Sequence, residues 1–204
     1  MLDALLRPLK ERWLSPVAHA VGRRVAPMTV TLAGFAVGLA AAVAAAYGVR
    51  DVALLLWMAN RVLDGFDGTL ARAQGAQSDL GGYVDLLLDF VVYAAIPFGL
   101  VLGSPSPPRA VTALALVGSF YVNAASWMYL SALLERRGHG ASARGELTSV
   151  TMPAGLVGGT ESLVFYSLFF VWPARLVPLF ALMTALVLVT VAQRLAWAFR
   201  HLRA

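Results

Sequence analysis

Apolar runs of roughly 20 residues recur along nearly the whole chain, each bounded by a short polar, proline or glycine break. A run of that length crosses the hydrocarbon core of a bilayer as one helix. The pattern predicts six spans, at 29–49, 52–72, 79–102, 109–133, 153–172 and 175–198. The breaks are Gly48/Arg50/Asp51, a turn over 73–78, the run from Ser104 to Pro108, a basic stretch over 135–152, and Trp172-Pro173. Ahead of the first span, Leu2, Leu5, Leu6, Leu9 and Trp13 recur at helical spacing, with Arg7, Lys10, Glu11 and Arg12 on other faces. This predicts an amphipathic helix lying at the membrane interface. Ser15-Pro16 reads as a cap with proline at the first helical position, restarting the helix toward Arg23-Arg24. The first 25 residues hold Asp3, Lys10, Glu11 and Trp13 but no uninterrupted apolar core, so no cleavable signal peptide is expected. The expected fold class is therefore an all-α integral membrane protein. It forms one domain over 1–204, with a juxtamembrane arm (1–26) and a six-helix bundle (27–200).

Composition sharpens this picture. The chain is 59% hydrophobic and 13% charged, where a soluble domain carries about 25% charge. Its mean hydropathy is +0.73. No soluble mass remains for a separate catalytic domain, so any chemistry must come from the helices and their loops. The absence of cysteine excludes disulfides, thiol catalysis and cysteine metal sites. The net charge of +5 fits loops facing anionic lipid and not nucleic-acid binding. Twelve Lys and Arg fall on the side holding both termini, the 73–78 turn and the 135–152 loop. Three (Arg50, Arg109 and Arg175) fall on the other. The positive-inside rule places both termini in the cytoplasm, and the expected location is a bacterial inner (plasma) membrane.

Five of the eleven acidic residues lie within residues 63–90. At 100° per residue, Asp64, Asp67, Gly68 and Ala71 share one face of the second span, with Asn60 and Arg72 at its edges. Gly81, Asp85 and Asp89 share one face of the third. The two spans form an antiparallel hairpin. The midpoint of 64 and 89 is 76.5 and that of 67 and 85 is 76, so both acidic pairs are equidistant from the turn. At about 1.5 Å per residue they lie roughly 13–18 Å along the helices, at one level toward the cytoplasmic face. Each acid at mid-membrane costs about 2.5–3.5 kcal/mol on insertion scales, so something positive must offset four of them. Arg61 and Arg72 are candidates. Bound divalent cations are the other, and carboxylates suit Mg²⁺ or Mn²⁺. Two metals about 3.5–4 Å apart, bridged by shared aspartates, would neutralise the cluster. No histidine lies near, which argues against zinc.

The spacing Asp64-x2-Asp67-Gly68-x2-Ala71-Arg72-x8-Gly81-x3-Asp85-x3-Asp89 resembles, position by position, the signature of the CDP-alcohol phosphotransferase family. The six-span layout resembles that family too. Pro27-Met28-Thr29-Val30-Thr31 resembles its Pro-Asn-x-x-Thr element, with Met28 where the family has Asn. The resemblance implies a phospholipid-synthesis enzyme. It would transfer a substituted phosphoryl group from a CDP-linked lipid, CDP-diacylglycerol, to the hydroxyl of a small alcohol or alcohol phosphate, releasing CMP. It implies that Asp64, Asp67, Asp85 and Asp89 hold two divalent metals and that Asp89 is also the base activating the acceptor. Gly68, Ala71, Arg72, Gly81 and Thr31 would bind the nucleotide, and the protein would be a homodimer. The acceptor itself is not implied.

Other polar positions carry less. The loop over 135–152 is basic and glycine-rich. It reads either as an ordinary solvated loop or, through Arg136, Arg137, His139 or Arg144, as an attractor of a substrate phosphate. Glu161 is a lone acid near the fifth span, facing the acceptor pocket, pairing with an arginine, or sitting at a helix end. Arg136, Arg144 and Glu161 are the candidate acceptor-pocket residues. Trp57, Trp127, Trp172 and Trp197 read as interface or packing residues, His19 and His201 as surface residues, and Asn123 and Ser126 as bonding a neighbouring helix. The competing function is an intramembrane cation or proton transporter, since buried acids often mark ion paths. A path requires polar residues continuing across the bilayer. Beyond Asp89 the third span has no ionisable group except Tyr93.

Overall fold

The computed structural model of the protein describes residues 2–138 and 155–202, and their side chains except those of 2–11 and 23. Seven α-helices follow in order: α1 (Leu2–Val21), α2 (Pro27–Ala46), α3 (Arg50–Gln74), α4 (Asp79–Gly103), α5 (Pro107–Arg136), α6 (Gly159–Val171) and α7 (Leu176–His201). There is no strand among the described residues. Of these helices, α2, α4, α5 and α7 are long and apolar enough to cross a membrane. α3 has the length but carries the charges of the acidic motif. α6 has only 13 residues, about 20 Å at 1.5 Å per residue.

Local signals set the helix ends. Pro27 and Pro107 open α2 and α5 at the first helical position, where a missing N–H costs nothing. Ser78 and Ser106 cap α4 and α5 by accepting from Gly81 N and Arg109 N. Gly75 closes α3 at φ +62°, a left-handed conformation that glycine adopts without penalty. Two expectations are corrected. The first helix does not restart at Ser15-Pro16 but runs unbroken from Leu2 to Val21. Pro16 is exposed, so the one carbonyl it leaves without a helical donor lies where water can reach it. The fifth predicted span becomes a helix, α6, only from Gly159 and not near 153. Residues 155–158 are irregular because their N–H groups have other acceptors. Leu156 N donates to Gln193 Oε1 and Val157 N to Thr190 Oγ1, both on α7.

α2, α3 and α4 form the tightest unit, and α5 pairs with α7. α2 and α4 touch backbone to backbone. A Cβ built on Gly99 would collide with Ala42 O, and one on Gly103 with Ala45 O. Small residues permit this approach, which is how apolar helices associate in lipid. Behind it the core gathers Trp57, Ile96, Tyr166, Phe169, Phe180 and Met183, all fully buried. α1 rests on α3 through Ala18 and Leu70 with Val30 of α2, and Gln74 Nε2 donates to Gly22 O and Val25 O at the bend between α1 and α2.

Candidate active site between helices α2, α3 and α4

The carboxylates of the motif converge. Asp64, Asp67, Asp85 and Asp89 line one recess with Thr31, Gly34, Phe35, Asn60, Leu88 and Val92. The recess sits near the end of the bundle that carries the α3–α4 turn, because α2 starts there, α3 ends there and α4 starts there. Helical periodicity alone puts Asp64 and Asp67 on one face of α3 and Asp85 and Asp89 on one face of α4. α2 closes the third side with Thr31 and Gly34.

The four acids are not equivalent. Asp67 is 4% exposed, and its Oδ2 accepts from Thr31 Oγ1 at 2.6 Å. Asp89 lies across from Arg61, whose Nη2 and Nη1 donate to its two oxygens at 2.6 and 3.3 Å. Asp64 is 3.7 Å from the same guanidinium. No hydrogen bond or ion pair among the described residues involves Asp85. Arg61 is itself held by its neighbours. Its Nε donates to Asn60 Oδ1 at 2.8 Å, Nη1 to the Tyr93 hydroxyl at 3.2 Å, and its central carbon lies over the rings of Trp57 and Tyr93.

The donor set consists of hard carboxylate oxygens with no imidazole or thiol, which fits Mg²⁺ or Mn²⁺. As they stand, no three acidic or histidine side chains among the described residues close into a metal-binding group. The donor types fit, while both oxygens of Asp89 accept from Arg61 and Oδ2 of Asp67 accepts from Thr31.

The remaining sequence-predicted residues divide. Thr31 lies in the recess. Gly68, Ala71, Arg72 and Gly81 do not line it; they follow Asp67 or precede Asp85 by up to a helical turn or so, nearer the α3–α4 turn. Arg72 folds back on its own helix, with Nη2 on Thr69 Oγ1 at 3.2 Å and Nη1 against Gly68. Arg136 is exposed in the last turn of α5. Arg144 and His139 lie outside the described residues. Glu161 Oε2 accepts from Gly158 N at 3.0 Å, closing the start of α6. Asn123 and Ser126 do bond a neighbouring helix, accepting from the buried Arg194 of α7 at 2.5 and 3.3 Å. Trp57 and Trp127 are buried in packing, and Trp172 is exposed. The sequence reading missed Tyr93 as a partner in the site, although Asp89 and Tyr93 are four apart and so share a helical face.

A sequence model of the CDP-alcohol phosphatidyltransferase family matches residues 24–201, and the chain belongs to that family. It is thus an integral membrane protein of the CDP-alcohol phosphotransferase class. The inner membrane protein YnjF of Escherichia coli (strain K12) is 34% identical over 180 residues, 85% of this chain and 84% of that one. The fold also matches crystal structures of Mycobacterium tuberculosis phosphatidylinositol phosphate synthase (PgsA1). With CDP-DAG bound, the TM-score is 0.70 at 20% identity, covering 91% of this chain and 92% of that one. In complex with manganese and citrate it is 0.69 at 20% identity, covering 90% and 87%. At such identity the likeness establishes the fold.

Proposed function

We propose that the chain transfers a phosphatidyl group from CDP-diacylglycerol to the hydroxyl of a small alcohol or alcohol phosphate, releasing CMP. One observation carries this reading: the four motif aspartates, on two helices, face one recess that also holds Thr31. Asp64, Asp67, Asp85 and Asp89 would hold two divalent cations, Mg²⁺ or Mn²⁺. When bound, these supply neutralisation of the diphosphate and of the leaving CMP. The relatives support both substrate and metal, since the mycobacterial synthase was crystallised once with CDP-DAG and once with manganese.

The chain's own residues then divide the work. Gly68, Ala71, Arg72 and Gly81 form the face on which cytidine lies, with Arg72 as its fixed cation. Thr31 keeps Asp67 oriented. Asp89 accepts the proton of the acceptor hydroxyl as that oxygen bonds to the lipid-side phosphorus and the bond to CMP breaks. Phosphoryl transfer of this kind needs mainly positioning and charge neutralisation. Arg136, Arg144 and Glu161 remain the candidates for the acceptor side. The buried Arg194 on the α5–α7 seam is a further cation for a charged acceptor. In this reading α3 and α6 complete a six-span single domain over 1–204, α1 lies at the interface, and the chain pairs as a homodimer. Both termini and the recess face the cytoplasm of a bacterial inner membrane. The lipid donor enters sideways and the acceptor from water.

The test is acceptor-dependent CMP release. Purified protein is given CDP-diacylglycerol, Mg²⁺ and a panel of labelled alcohols and alcohol phosphates. One acceptor should yield a labelled lipid with equimolar CMP. Chelation should stop the reaction, and Mg²⁺ or Mn²⁺ should restore it. Failure of every acceptor, or turnover indifferent to chelation, overturns the proposal.

A further inference from the structure

Arg61 sits in the acidic recess as a fixed part of the protein. Its side chain is 10% exposed. Two of its nitrogens donate to Asp89, at 2.6 and 3.3 Å, and one of them lies 3.7 Å from Asp64. Nε is fixed on Asn60, whose amide is in turn anchored on Gly34 O at 2.9 Å. The guanidinium carbon is 4.7 Å from the Trp57 ring centroid and 5.1 Å from that of Tyr93. Hydrogen bonds from all three guanidinium nitrogens and two aromatic rings beside its carbon together define a seat that suits arginine and not a mobile ammonium. Arginine, moreover, does not shed its charge in proteins.

Two consequences follow from this placement. A permanent positive charge stands within 4 Å of two of the four carboxylates. It also occupies both oxygens of Asp89, while Asp85 has no internal partner. A divalent cation entering the recess must therefore compete with Arg61 for Asp89 and be repelled by it at short range. We propose that Arg61 is a built-in counter-ion that lowers the affinity of the recess for divalent cations and holds Asp89 in position while they are absent. This rests on the reading of the recess as a divalent-cation site given above. Arg61 is a positioning residue in this scheme, acting through Asp89 and Asp64.

The experiment measures Mn²⁺ binding to the purified full chain without substrate, by electron paramagnetic resonance of the free ion. Removing a unit charge a few ångströms from a divalent ion argues for a large effect in a partly screened site. Arg61→Gln should therefore lower the Mn²⁺ dissociation constant by at least about tenfold. Arg61→Lys keeps the charge but loses the two-pronged seat, and should tighten Mn²⁺ binding less than Arg61→Gln does. Tyr93→Phe removes one anchor of the guanidinium and should give a smaller tightening. A residue with only a structural role would do the opposite, since a loosened site binds metal less well. Unchanged or weakened binding in Arg61→Gln overturns the proposal, as does a lysine variant that behaves like the glutamine one. Should Arg61→Gln not fold, weakened binding in Tyr93→Phe overturns it equally. If the wild type binds Mn²⁺ and Arg61→Gln binds no tighter, this inference alone fails. If neither the wild type nor Arg61→Gln binds Mn²⁺, the functional reading of the recess fails and takes this one with it.

Discussion

The hydroxyl of Tyr166 on α6 donates to the backbone oxygen of Tyr93 on α4 at 2.6 Å. That carbonyl would ordinarily receive the N–H of residue 97, but residue 97 is proline, inside the helix, and has none to give. The bond thus repairs the one gap that Pro97 makes in α4. It also ties the short α6 to the helix carrying Asp85 and Asp89. Tyr166 stacks on Trp57 and meets Tyr93 edge to face, so the same ring backs the seat of Arg61. Tyr166→Phe keeps the packing and leaves a buried carbonyl without a donor, at a cost of about 1–3 kcal/mol. Thermal unfolding in detergent should show a lower midpoint. If the midpoint is unchanged, the carbonyl has found another donor.

Asp85→Asn separates function from folding. The other three acids each have an internal partner, and Asp85 has neither hydrogen bond nor ion pair. Its charge adds repulsion to a crowded site and gives the metal-free fold nothing in return. The substitution should therefore leave the unfolding midpoint without metal equal to or above the wild type. Turnover should fall by about a thousandfold or more, as expected when a divalent-ion ligand worth several kcal/mol is lost. Mn²⁺ binding should weaken in parallel. A variant with near-normal turnover would remove Asp85 from the site.

How far the sequence reveals this site depends on which force places each residue. The four aspartates were legible because period 3.6 puts them on facing stripes and the hairpin fixes their common level. The breaks at 73–78 and from Ser104 to Pro108 were legible for a similar reason, since turn and proline chemistry is local. The start of α6 was not. Leu156 and Val157 give their N–H groups to Gln193 and Thr190, side chains more than 30 positions away, and no local rule foretells that choice. Nor was the continuity of α1 through Pro16, because Ser-Pro carries a cap signature while the one exposed carbonyl costs too little to stop the helix. Arg61 was legible as a cation near acids. Its preference for Asp89 over Asp64 was not, because the seat between Trp57 and Tyr93 exists only once α3 and α4 are both packed on α2.

Thr31 offers a graded test. Its hydroxyl meets the buried carboxylate of Asp67 at 2.6 Å and also reaches back to Pro27 O at 3.2 Å. Thr31→Val keeps the shape and removes the donor. A hydrogen bond to a charged group is worth about 1.5–3 kcal/mol, so both the unfolding midpoint and turnover should drop, turnover by roughly tenfold or more. Thr31→Ser restores the hydroxyl and should recover most of the turnover. If valine keeps the turnover and serine loses it, the methyl group and not the hydroxyl matters at this position.

The α2–α4 contact gives a last prediction with its own control. A Cβ on Gly99 would meet the backbone oxygen of Ala42 well inside contact distance, and no side chain can move aside to relieve it. Gly99→Ala must push two helices apart at the level where α2 backs the site-bearing α4. Such overpacking costs about 1–3 kcal/mol. Gly118 on α5 is the opposite case, with nothing within 4 Å of a built Cβ. Gly118→Ala should leave stability unchanged or raise it by up to about 1 kcal/mol through helix propensity. Comparing the two unfolding midpoints isolates packing from propensity, because the chemical change is identical. A Gly99→Ala protein as stable as Gly118→Ala would mean that α2 and α4 do not approach so closely.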